Sequence, residues 1–154
     1  MNRILVLAFM LVAMLGVAQN KKSELSWVTN FDKAKEISKE QKKPILMMFT
    51  GSDWCPPCKK LKEDFFNSDR FAQEADKFVL LMVDLPKNRG IIGEQQYKTN
   101  VLLNQKYGVS SIPVVIAVDA KGGIIDKIKG YNSSSDTGPH FRFIAKVLEK
   151  YSKA

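Results

Sequence analysis

Three short runs in this chain are apolar at every position: "ILMMF" (45–49), "FVLLMV" (78–83) and "VVIAV" (114–118). A strand with one wet face alternates apolar and polar residues; a strand without alternation must be covered on both faces. Such runs therefore need a sheet with helices above and below it.

The intervening segments supply those helices. Thr29 stands three residues before Asp32, a capping pattern, and Phe31, Ala34 and Ile37 then recur at helical spacing. That predicts a helix over about 30–42, ending before Pro44. A second helix is expected from the cysteines to about Asn67, continuing after Ser68 toward Ala75. A third covers about 91–107. The last covers about 139–151, with Phe141, Ile144, Val147, Leu148 and Tyr151 on one side. After the third apolar run, "DAKGG" reads as a turn and "IIDKIKGY" as a returning, less buried edge strand. The long connection between the first two runs suits a parallel crossover, and the short turn makes the last two strands antiparallel. The expected fold is α/β, a central mixed sheet with helices on both faces.

The chain has 154 residues, 45% of them apolar and 26% charged. That suits one globular domain rather than a disordered chain. The formal charge is +8, but the lysines alternate with acids, as in "DKAKEISKEQKK". This reads as solvated helix surface, and no nucleic-acid partner is expected. The N-terminus differs from the rest. Arg3, an apolar run over 4–17, then Gly16 and Ala18 have the layout of a secretory signal. The run is short for a membrane span. Residues 1–19 are therefore expected to be a signal peptide, cleaved near Ala18 or Gln19, with membrane attachment only if it is retained. Residues 20–26 read as a polar linker and 27–154 as the folded domain. The closing "EKYSKA" carries no endoplasmic-reticulum retention signal, so a periplasmic or secreted protein is expected, acting as a monomer.

The only two cysteines, Cys55 and Cys58, lie in "TGSDWCPPCKKL". A disulfide closing so small a loop restrains little chain entropy, so a purely structural staple would be poorly placed. Structural zinc needs four ligands, and the chain adds one histidine, His140, read as a partly exposed residue at the start of the last helix. No metal and no cofactor are expected within one chain; a metal shared between two chains stays open as an alternative. Chemistry at the cysteines remains. Pro56 and Pro57 fit the first turn of a helix, where missing N–H groups cost little. That puts Cys55 at the N-cap, facing free amides that favour its thiolate. Cys58, Leu61 and Phe65 share a helix face, so Cys58 should be sheltered. An exposed, activated Cys55 backed by a buried Cys58 suits attack on a disulfide followed by resolution.

At this point the sequence resembles the thioredoxin superfamily. The resemblance rests on "WCPPCKKL" after an apolar strand, "GVSSIPVVIAVD" some fifty residues later and "KGGIIDKIKGY" beyond that. It implies a thioredoxin-like fold, a cis bond before Pro113, an Ile112 backbone that pairs with an extended substrate peptide, and Trp54 beside the active site. It also implies a thiol-disulfide oxidoreductase of protein disulfides, served by a further, unidentified redox partner. Two departures stand out. Met48 occupies the position of the buried acid that assists proton transfer from the resolving thiol in thioredoxins proper, leaving water, Lys59 or Asp53 as possible helpers. Pro56 stands where thioredoxin has glycine. With no histidine between the cysteines, reduction or isomerisation is favoured over oxidation. The alternative is a thioredoxin-like module that binds peptides without redox turnover. The segment 86–108 reads as a crossover helix with a solvated face, and "NSS" at Asn132 matches a glycosylation pattern.

Overall fold

The computed structural model describes residues 25–131 and 134–153. The expected signal segment, most of the expected linker and Asn132 lie outside them. The elements run β1 (Trp27–Val28), α1 (Phe31–Gln41), β2 (Ile45–Thr50), α2 (Pro56–Leu61), α3 (Asp69–Ala75), β3 (Val79–Asp84), α4 (Glu94–Lys106), β4 (Val114–Val118), β5 (Ile124–Lys129) and α5 (Gly138–Ser152). The five strands form one sheet in the order β1-β3-β2-β4-β5. β2 pairs parallel with β3 and antiparallel with β4, and β5 returns antiparallel on the edge, where its residues are exposed or half-buried.

Two cores follow from the period of two along each strand. Ile45, Met47 and Phe49 point to one face, where α1 and α4 bring Phe31, Ala34, Leu103 and Tyr107. Leu46 and Met48 point to the other, where α2, α3 and α5 bring Leu61, Phe71, Phe141 and Ile144. All six residues of β2 are buried, as their unbroken apolar pattern requires.

Local differences from the sequence reading have local causes. Asn30, not Thr29, caps α1, its Oδ1 accepting from the Lys33 N–H at 2.9 Å. Asn is at least as good a cap as Thr, and the helix starts one residue later than the capping pattern suggested. The helix expected to run from the cysteines to Asn67 stays α-helical only to Leu61. Over Lys62–Phe66 it widens into a π turn, with the Asn67 N–H donating to the Lys62 carbonyl at 2.8 Å. The wider turn lets consecutive Phe65 and Phe66 both enter the core, which a 100° step would set apart. Ser68 then starts α3, accepting from the Phe71 N–H and donating to the Phe65 carbonyl. β1 is a strand that the sequence reading leaves unassigned. Two residues show no period, and its pairing with β3 alone defines it. Leu25, inside the stretch read as linker, packs on the same core as Trp27.

The edge strand is held to the last helix by charge. Asp126 of β5 meets Lys150 at 2.9 Å and Lys146 at 3.0 Å. The Lys150 hydrogen bond, with Lys146 adding to it, lowers its carboxyl to about 2. A carboxylate lowered by folding stabilises above its unfolded value, near 4, and loses that contribution as pH falls through its folded value. Asp126→Asn should therefore destabilise the chain by about 1 kcal/mol at neutral pH, given the exposed lysine partners. The difference from the unaltered chain should shrink between about pH 4 and pH 2, as read from urea midpoints. A constant difference would assign the effect to packing instead.

Candidate active site

The two cysteines sit where β2 runs out. From Thr50 the chain turns through Gly51, Ser52, Asp53 and Trp54, and the Trp54 and Cys55 N–H groups both return to the Gly51 carbonyl (3.2 and 2.9 Å). Cys55 is the N-cap of α2, with extended backbone, and its sulfur accepts from the Cys58 N–H at 3.3 Å. Pro56 and Pro57 open the helix, as their lack of N–H groups allows. Cys55 and Cys58 are joined as a disulfide, with Cα atoms 5.3 Å apart.

One expectation needs correction. Cys55 is not exposed in this oxidised form: it is 3% accessible and Cys58 1%. The disulfide turns the Cys55 sulfur over the first turn of α2, toward the Cys58 sulfur and N–H. Their difference lies in what they adjoin. Cys58 lines a cavity of about 420 Å³ together with Ser52, Lys59, Glu63, Met82 and Asp84. Cys55 is not part of that lining.

Hydrogen bonds between the exits of β2 and β3 fix the approach to the cysteines. The Asp84 Oδ1, at the end of β3, accepts from the Ser52 N–H at 2.8 Å. Asp53 accepts from the Lys87 and Asn88 N–H groups, each at 2.9 Å. The Trp54 indole N–H donates to the Leu85 carbonyl at 2.9 Å. Trp54 is neither core nor loose: it is 41% exposed, anchored by one edge. Its ring crosses Gly51 so closely that a Cβ there would stand 2.5 Å from Nε1. Glycine at 51 is thus set by the indole, not by an unusual φ. These loop anchors, Gly51, Asp53 and Asp84, escape sequence reasoning because their partners lie more than 30 residues away or depend on the turn.

The other wall comes from β4 and β5. Phe49 pairs with Val114, which places Pro113 beside Thr50 at the end of β2. The Ile112–Pro113 bond is cis, and Pro113 is buried. The Pro113 carbonyl accepts from the Gly130 N–H at 2.8 Å. Beyond Gly130, the Tyr131 hydroxyl donates to Asp64 Oδ2 at 2.8 Å, while Lys60 lies 3.3 Å from the same oxygen. The tyrosine bond, with Lys60, holds the Asp64 carboxyl below the usual carboxylate range; burial and Asp64 push Tyr131 up to about 12. The helix that carries Cys58 is thereby tied to the exit of β5.

His140 is another correction. It is 3% exposed, between the rings of Phe65 and Tyr131 at 5.4 and 5.6 Å. Burial lowers its pKa and favours the neutral ring. The cause is position: its N–H turns back to the Thr137 carbonyl in the first turn of α5, and the ring enters the aromatic layer under the π turn.

Asp53 shows how far the loop order depends on charge. The Asn88 N–H first, and the Lys87 N–H with it, hold its carboxyl below the ordinary range against the opposing effect of desolvation. The bonds are full above the unfolded value, near 4, and are lost as pH falls through the folded one. In the unaltered chain, the Lys87 and Asn88 amides should be protected from hydrogen exchange at neutral pH and lose protection only below about pH 4. In Asp53→Ala they should exchange freely throughout. Equal protection in both chains would assign the order of this loop to Trp54 alone.

Comparison with known proteins agrees with the geometry. Thioredoxin-related protein DsbJ of Chlamydia pneumoniae is 28% identical over 141 residues, covering 88% of this chain and 40% of that protein. Disulfide bond reductase DsbH of the same organism is 35% identical over 101 residues, covering 65% of this chain and 60% of that protein. The chain thus spans about half the length of these relatives. A solved structure described as DsbH oxidoreductase superposes with a TM-score of 0.75 at 25% identity, covering 88% of this chain and 92% of that one. Residues 31–144 match the family model for the thioredoxin-like domain, and the chain belongs to that family.

Proposed function

We propose that this chain is a thiol-disulfide oxidoreductase that reduces or isomerises protein disulfides by cycling Cys55 and Cys58 between dithiol and disulfide. The observation that carries this reading is the bonded pair at the head of α2, with the Cys55 sulfur accepting the Cys58 N–H. In the reduced form the same N–H is available to a Cys55 thiolate, and a charge-assisted hydrogen bond is the stronger kind. Cys55 attacks a substrate disulfide, one substrate sulfur leaves as thiolate, and a mixed disulfide forms. Cys58 then attacks the Cys55 sulfur, the substrate departs reduced, and the chain is left in the disulfide state. A dithiol partner of unidentified nature restores it.

The surroundings support a peptide substrate. Ile112 is half-buried. Among the described residues no backbone hydrogen bond engages it, which leaves it open to pairing with an extended chain. Trp54 offers an apolar edge beside Cys55. The relatives named disulfide bond reductase and thioredoxin-related protein favour the reducing direction. Export rests on residues 1–19, whose charge and apolar pattern is that of a secretory signal. The place of action is then the periplasm or beyond.

The test is direct. Supplied with a small dithiol, the unaltered chain should turn over a disulfide-bonded protein. Cys58→Ser should accumulate that protein as a mixed disulfide on Cys55, seen by non-reducing electrophoresis. Cys55→Ser should abolish both turnover and trapping. Full turnover by Cys55→Ser would sink the assignment.

A further inference from the structure

We infer that Asp84, at the end of β3, is the proton acceptor for Cys58 when the mixed disulfide is resolved. The inference rests on the thiol-disulfide reading above. Resolution requires Cys58 to lose its proton, yet its side chain is nearly inaccessible and meets no bulk solvent directly. The cavity of about 420 Å³ against Cys58 is the route by which an acceptor reaches it. It is wide enough for bridging water.

Five charged or acidic groups must be weighed. Lys59, Lys62 and Glu63 come from the helix side, and all three are exposed. A lysine ammonium has no lone pair to accept a proton. Glu63 opens to solvent at the rim. Asp53, near in sequence, is outside the cavity lining, and both its oxygens hold the Lys87 and Asn88 amides. Asp84 remains, 6% exposed and facing the cavity. Alternation along β3 puts Leu80, Met82 and Asp84 on the face that carries α2. Met48, whose position suggested a missing acid, pairs with Met82 in the register, two residues before the Thr50–Asp84 pair and on the same face of the sheet. The carboxylate is thus supplied by the neighbouring strand.

A buried carboxylate is costly unless it is bonded. One oxygen of Asp84 holds the Ser52 N–H. That structural task needs only an acceptor oxygen, which an asparagine also supplies. A negative charge is needed for proton transfer. In the proposed step the Cys58 proton passes, directly or through water, to Asp84. The Cys58 thiolate then bonds to the Cys55 sulfur as the bond between Cys55 and the substrate sulfur breaks. The substrate sulfur leaves with the electron pair and takes a proton from solvent. Asp84 returns its proton to solvent afterwards.

The reduced chain mixed with an equimolar amount of dithiobis-nitrobenzoate separates the steps. Attack by Cys55 releases one coloured thiolate, and resolution by Cys58 releases the second. In Asp84→Asn the second release should slow by about 100-fold at neutral pH, a typical loss for a general base. It should recover as pH rises and hydroxide takes over. Asp84→Glu should restore much of the rate. In the Cys55→Ser background, Asp84→Asn should make Cys58 ionise more readily, since a neighbouring negative charge is gone. Slower resolution by a more acidic thiol is a pairing that a merely structural role does not produce. A second release in Asp84→Asn with unaltered rate and pH profile would overturn the role of Asp84 while leaving the oxidoreductase reading intact. Absence of any exchange in the unaltered chain would overturn both. Should Asp84→Asn fail to fold, carbon NMR of the unaltered chain decides. The Asp84 carboxyl resonance should move as Cys58 ionises in the reduced form and stay fixed over the same range in the disulfide form. A resonance indifferent to redox state overturns the inference.

Discussion

Burial of β2 on both faces is the constraint from which the site follows. Its six residues have no exposed position, so the strand must lie inside the sheet with a helical layer on each side. β3 and β4 become its neighbours, and their ends arrive where β2 ends. A chain leaving such a strand must turn over the sheet edge before the next helix can cover it. The cysteines occupy that turn. Their position is a consequence of the most buried strand having to stop there.

Three aspartates near this turn show how environment sorts one side-chain type into different tasks. Asp53 lies at the surface and spends both oxygens on two amides, so it orders a loop. Asp64 receives Tyr131 and Lys60, so it joins the cysteine helix to the exit of β5. Asp84 is buried, with one oxygen on Ser52 and its side chain on the Cys58 cavity. Exposure and partner, rather than chemical identity, separate them. Trp54 and Gly51 act as one unit in the same way: the indole crosses the glycine to reach the Leu85 carbonyl.

The aromatic layer below the site has a comparable logic. The π turn at Lys62–Phe66 swings Phe65 and Phe66 inward together. Phe65 then meets Phe66, Phe71, Phe141 and His140 within 5.4 Å between ring centroids. Edge-on contacts, here with Phe66 and Phe141, add to the area they bury. Cys58, on the helix that leads into this layer, lines the cavity that Asp84 also lines, and Cys55 does not. That asymmetry distinguishes the two sulfurs in the disulfide form, where accessibility does not.

Much was legible from the chain itself. Apolar runs without alternation defined three central strands, the "DAKGG" turn and the weaker run after it defined the edge strand, and two prolines after Cys55 placed it at a helix start. Each is a local property, set by side chains within a few residues. The cis bond before Pro113 was reached only through family resemblance. Other features came from contacts between distant segments. The two-residue β1 exists only through its pairing with β3, and His140 is buried by the rings of Phe65 and Tyr131. The acid on the Cys58 cavity is the clearest case. The strand before the cysteines carries methionine at the expected place, and only the pairing of β2 with β3 brings Asp84 to the cavity, because a sheet joins residues by register and not by order along the chain.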